Sequence, residues 1–262
     1  MTPETWYDPT RVGAPLVLVL VFSALVLLFT DRSRRGHKLF IRLIPGIAAM
    51  EEAVGRATEL GRKVFYLPGG GTLDDIQTIA SLAVLRHVAT LTARYTVDLE
   101  VLNKDPLAYA ATRETVQEAY LEAGRPDLFT NDVVSYVTYD QFAYTASVTG
   151  MMVRERPAAN FLIGAFHAES LLLAETGQTV GAIQIAGTAE VAQLPFFAVV
   201  CDYTLIGEEL FAAGAYLSQE PAMLGSIKGQ DFTKAGLIIV IVAGVLLEIA
   251  GVHWMRDFMQ IN

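Results

Sequence analysis

The chain has 262 residues, 53% of them hydrophobic, and its 28 Asp and Glu against 19 Lys and Arg leave a formal net charge of −9. That balance argues against the basic surface that nucleic-acid binding needs, and a single cysteine, Cys201, excludes an internal disulfide and a Cys-rich zinc site. The mean hydropathy of +0.40 is high for an ordinary soluble chain, and two runs carry much of the excess.

The first run is Gly13 to Thr30. As a helix it spans roughly 27 Å at about 1.5 Å per residue, close to the roughly 30 Å of a hydrocarbon core. The residues before it carry Glu4 and Asp8 rather than a positive cluster, and no small-x-small cleavage site follows it. It therefore reads as a retained membrane helix and not as a signal peptide. Trp6 and Tyr7 stand where interfacial aromatics sit. Arg32, Arg34, Arg35, Lys38 and Arg42 follow at once.

The sequence between the two apolar runs suits one domain. Short apolar or β-branched runs alternate there with helical patterns. The fold class expected is α/β: a doubly wound, mostly parallel sheet of about six strands. A helix over Ile47 to Leu60 precedes a strand Val64 to Leu67. A long helix, Leu73 to Tyr95, carries Ile76, Ile79, Ala80, Ala83, Val84, Val88 and Leu91 on its apolar face. A strand Val97 to Leu102 leads to a well-punctuated helix, with Asp105 to cap it, Pro106 in its first turn and Gly124 at its end. Val133 to Val137 reads as a strand and Asp140 to Val153 as a helix. Pro157 to Thr176 reads either as one long helix or as a strand, Phe161 to Ala165, followed by a helix from His167. Then come a strand Val180 to Ala186, a short helix Ala189 to Leu194, a strand Phe196 to Cys201 and a helix Leu205 to Leu217.

The second apolar run is Ala235 to Val252, preceded by Lys228 and Lys234. The two runs put seven basic residues on the domain side against Arg11 and Arg256 outside. Positive flanks stay cytoplasmic. The expected order is an extracytoplasmic N-terminus (1–12), a transmembrane helix (13–30), a basic juxtamembrane segment (31–45), a cytoplasmic α/β domain (46–220), a linker (221–234), a second transmembrane helix (235–254) and an extracytoplasmic tail (255–262). Gly244, Glu248 and Gly251 would share one face of the second helix and form a transmembrane contact. Glu248 has three readings: protonated or paired at a helix contact, near enough to the surface to reach water or His253, or part of an ion path.

Open α/β sheets bind ligands beyond the carboxyl ends of their strands. The residues expected there, and so the candidate ligand-binding set, are Gly69, Gly70, Gly71, Asn103, Asp105, Asp140, His167, Glu169, Thr188 and Asp202. The glycine run lacks both GxGxxG spacing and a Gly-Lys-Ser/Thr ending. Asp74 and Asp75 would satisfy the following helix start by themselves, so it reads as a turn with an acidic cap. Cys201 with His167 and Glu169 is a workable nucleophile, base and orienter, but Val-Val-Cys-Asp-Tyr lacks the glycines of a nucleophile elbow. His167, Glu169, Asp140 and Asp202 are possible metal ligands without a metal spacing. His87 reads as a satisfied core histidine. No catalytic residue, metal or cofactor is assigned.

Ile44-Pro45-Gly46, the Glu-Leu-Gly-Arg stretch ending at Arg62, Tyr66-Leu-Pro-Gly69, the long segment Gly177 to Ser218 and Gly225-Ser-Ile-Lys-Gly-Gln-Asp231 together resemble a family of uncharacterised bacterial membrane-anchored proteins. The resemblance implies a bacterial membrane protein and no particular reaction. Two functional classes follow. One is a scaffold or assembly subunit that meets the bilayer and forms a homo-oligomer or larger membrane complex. The other is an enzyme or sensor that binds a small ligand at the strand-end rim. A subunit of an oligomeric transporter or channel is a third possibility, resting on Glu248.

Overall fold

The computed structural model describes residues 13–36 and 44–251. The expectations placed on Trp6, Tyr7, Arg11, Lys38, Arg42, His253 and Arg256 lie outside them. The chain divides into two compact units: residues 42–218, and a unit made of residues 1–41 with 219–262.

The second of these holds two helices, α1 (Gly13–Arg34) and α9 (Pro221–Ile249). α1 has 22 residues, or about 33 Å, and α9 has 29, or about 43 Å. Both are long and apolar enough to cross a membrane. Their large side chains stand mostly exposed, Leu20 and Ile239 among them, as lipid-facing residues must. Together they associate the protein with a membrane. Residues 221–234 are not a linker but the first half of α9: Pro221 starts the helix, and nothing in the following sequence breaks it.

The two helices run antiparallel, and two glycines set their contact. A Cβ on Gly229 would lie 2.7 Å from Val26 Cα, and one on Gly225 would lie 2.6 Å from the Thr30 nitrogen. This Gly-xxx-Gly spacing lets the backbones touch, and Phe29 stacks on Phe232 at 4.7 Å beside it. The expected Gly244, Glu248 and Gly251 face differs in its last member: α9 ends at Ile249, and Gly251 follows in a left-handed conformation with φ +79°.

The other unit is a six-stranded, all-parallel sheet: β1 (Val64–Gly69), β2 (Leu99–Asn103), β3 (Val134–Tyr136), β4 (Ala159–Ala165), β5 (Ile183–Thr188) and β6 (Tyr203–Ile206). The strand order is β3-β2-β1-β4-β5-β6. The chain winds outward from β1 to β3, returns to the centre at β4 and winds outward again. The point of reversal lies between β1 and β4, where Val64 pairs with Ala159 and Leu67 with Leu162. α2 (Pro45–Leu60), α3 (Ile76–Tyr95), α4 (Pro106–Glu122) and α8 (Glu208–Ser218) contribute to the apolar core on one face. α5 (Gln141–Glu155), α6 (Glu169–Val180) and α7 (Leu194–Val200) contribute to the core on the other. β1 and β4 are buried along their whole length, as central parallel strands must be.

The stretch Pro157 to Thr176 takes the strand-then-helix form. One expected strand is wrong: Phe196 to Cys201 is mostly helix α7, and the sixth strand comes after it. Pro195 in the first turn starts that helix, and a short apolar run has no period that separates helix from strand. Phe197 is fully buried and meets Phe166 edge-on at 5.4 Å, while Tyr203-Thr-Leu-Ile206 completes the sheet.

Candidate functional site

The point of reversal opens at the carboxyl ends of β1 and β4, where Gly69-Gly-Gly-Thr72 faces Ala165-Phe-His167. The backbones come very close. Gly69 has φ +81° and Gly164 has φ +137°, and a Cβ on either would strike the neighbouring strand, at Ala165 O and Pro68 O respectively. Only glycine accepts both the conformation and the approach. The Gly70 N–H donates to Ala165 O at 2.8 Å.

A buried hydrogen-bond chain fixes this corner to α3. The Tyr66 hydroxyl donates to Ser81 O at 2.8 Å, and the Ser81 hydroxyl donates to Ile163 O at 2.7 Å. β1, α3 and β4 are thereby pinned together. Asp75 caps α3, accepting from the Gln77 N–H at 2.8 Å, and Asp74 accepts the Thr72 hydroxyl, which holds its carboxyl below the usual range. The acidic-cap expectation describes this turn well. Buried Gln77 reaches across to β5, accepting the Ala189 N–H at 2.7 Å and donating to Glu190 at 3.0 Å.

Most other rim candidates work locally. Asn103 accepts the Thr112 hydroxyl at 3.0 Å and donates to Ser135 O at 3.2 Å. Asp105 caps α4 through the N–H groups of Leu107 and Ala108, and Asp140 caps α5 through that of Ala143. Glu169, at the start of α6, is buried and accepts from Gln141. Thr188 donates to Gln77 at 3.3 Å. His167 is exposed. The rim thus gathers Gly69, Gly70, Gly71, Asn103, Asp105, Asp140, His167, Glu169 and Thr188 at one edge of the sheet.

Asp202 is not among them. It precedes β6 and accepts the Gln184 N–H at 2.7 Å, at the start of β5, so it belongs to the opposite edge. There it lines a depression of about 260 Å³ with Ala49, Glu52, Ala53, Ile183 and Tyr203. The misplaced sixth strand caused this error. Cys201 moves with it, separating it from His167 and Glu169 by the length of the sheet, roughly 20 Å at about 3.3 Å per residue. Burial beside Asp202 pushes its thiol up to about 12, so it is no nucleophile. Among the described residues, no group of three or more His, Cys, Asp or Glu side chains is placed to hold a metal. His87 is half-buried, and its Nε2 has no partner among the described residues. It is therefore not the satisfied histidine expected, and burial holds its pKa below the ordinary value.

Two rim residues lie outside the candidate ligand-binding set. Lys104 follows Asn103 at the end of β2, half-buried, and a Cβ on Gly70 would lie 3.1 Å from its Nζ. Thr78, on the first turn of α3, is 1% exposed. Its hydroxyl has no hydrogen-bond partner among the described residues, and a Cβ on Gly71 would lie 2.6 Å from it. Lys104 adjoined two candidates in sequence; nothing in the sequence pointed to Thr78.

The chain belongs to the family described as domain of unknown function DUF6754, whose model matches residues 2–259. No curated protein and no solved structure matches it.

Proposed function

We propose that this DUF6754 member is a membrane-anchored assembly subunit whose α/β domain docks onto a second copy of the chain. One observation carries the reading: exposed apolar side chains stand along the β6 margin of the domain, beside the Ile206 N–H, which donates to Glu209 at 3.2 Å. Val191, Phe196, Val199, Tyr203 and Ile206 are all exposed there, Val199 at 83%, on and around an edge strand bonded only to β5. Exposed apolar groups gathered on one margin mark contact surfaces. The basic residues beside both membrane helices support a reading in which the domain lies on the cytoplasmic side of a bacterial inner membrane, with both termini outside.

The full chain in mild detergent should run as a defined oligomer by light scattering. Val199→Asp should reduce it to a monomer with an unchanged melting temperature. A monomeric parent chain would defeat the reading. A second reading, a small-ligand enzyme or sensor, is favoured by the glycine-lined reversal point between β1 and β4, where sheets of this order take ligands.

A further inference from the structure

We propose that the Gly70–Gly71 turn, Lys104 and Thr78 form a binding site for a phosphoryl group at the reversal point of the sheet. This deepens the small-ligand reading and is independent of assembly. Two observations converge on the turn, which leads into α3, a helix of 20 residues capped by Asp75. Among the described residues, the N–H groups of Gly71 and Thr72 take no backbone or side-chain partner. Lys104 forms no ion pair among the described residues, and its ammonium comes against Gly70.

Thr78 is the most telling of these residues. A buried hydroxyl without a partner is costly, and this one points at the backbone of Gly71. The two glycines lack the side chains that would keep Lys104 and Thr78 away. Donors from a lysine, a threonine and free amides suit phosphate oxygens.

Asp75 sets a limit on affinity. One of its oxygens caps Gln77, and the other would lie 3.0 Å from a Cβ on Gly71, so its negative charge opposes a bound phosphate. The ligand class is a phosphoryl group, supplied either by a soluble metabolite or by a lipid headgroup.

The test uses the full chain in detergent, titrated by calorimetry with inorganic pyrophosphate and, separately, with micelles containing phosphatidic acid. Lys104→Gln should weaken binding about tenfold, the scale of one charged hydrogen bond. Thr78→Val should weaken binding while raising the melting temperature of the unliganded protein, because it removes an unpartnered hydroxyl. Asp75→Asn, which keeps the helix cap, should tighten pyrophosphate binding. A response to pyrophosphate indicates a soluble ligand, and a response to phosphatidic acid alone indicates a headgroup. No binding to either probe, or binding that Lys104→Gln and Thr78→Val leave unchanged, overturns the proposal.

Discussion

Among the described residues, three helices, α1, α3 and α9, are long and apolar enough to cross a membrane. Only α3 is covered by protein: Val84, Leu85, Val88 and Ala89 are fully buried against the sheet and its neighbours. The matching residues of α1 and α9 stand exposed, Leu27 at 69% and Ile249 at 78%. Mean hydropathy is lower in α3, 1.2 against 2.0 in α1 and 2.2 in α9. The source of the difference is polar punctuation. α3 carries Gln77, Ser81, Arg86, His87, Thr92 and Arg94, each able to meet a protein or water partner. From Gly13 to Thr30, α1 carries only Ser23 and Thr30 among polar side chains.

The sharpest way to break this comparison is one charge in each setting. Val88→Asp buries an unpaired carboxylate in the core of the domain and should unfold it, at a cost of several kcal/mol (about 3–5). Circular dichroism melting would show the loss. Leu20→Asp should leave that melt unmoved and instead reduce membrane insertion, costing roughly 2.5–3.5 kcal/mol at a helix centre, read by alkaline extraction of membranes. A melt lowered by the second change would mean that α1 is packed by protein, not lipid.

Next in size is the α1–α9 contact. Gly229→Leu places a side chain where Val26 Cα lies 2.7 Å from the first added atom. It should cost about 1–3 kcal/mol and abolish a Val26→Cys/Gln230→Cys crosslink. Gly236→Leu, with nothing within 4 Å of the new atom, should abolish nothing.

A smaller effect should come from His87 on α3. Burial lowers its pKa, so the folded state favours the neutral ring. Its contribution is complete above the ordinary imidazole value of about 6.5 and is lost as pH falls through the lower folded value. His87→Phe should flatten the decline in melting temperature on the acid side of that value. The smallest effect concerns Cys201: with its thiol raised to about 12, it should react with a disulfide reagent at pH 8 only when denaturant is added.

How much of the site was readable follows from the same contrast. Gly69 to Gly71, Asn103, Asp105 and Asp140 stood out because turn and cap residues announce strand ends locally. Asp202 went to the wrong edge because the run Phe196 to Val200 has no distinguishing period, and one misassigned strand reverses the end at which its neighbours lie. Thr78 was invisible, since a threonine in the first turn of a helix is ordinary until its hydroxyl is found without a partner.

The sequence alone determined the membrane association and the α/β class, because these depend on composition, run length and local punctuation. Tertiary structure decided the strand order, the approach of Lys104 and Thr78 to the glycine turn, and the pairing of α1 with α9 through Gly225 and Gly229. Those depend on which backbones can come within touching distance, and that is settled only when segments distant in sequence are packed together.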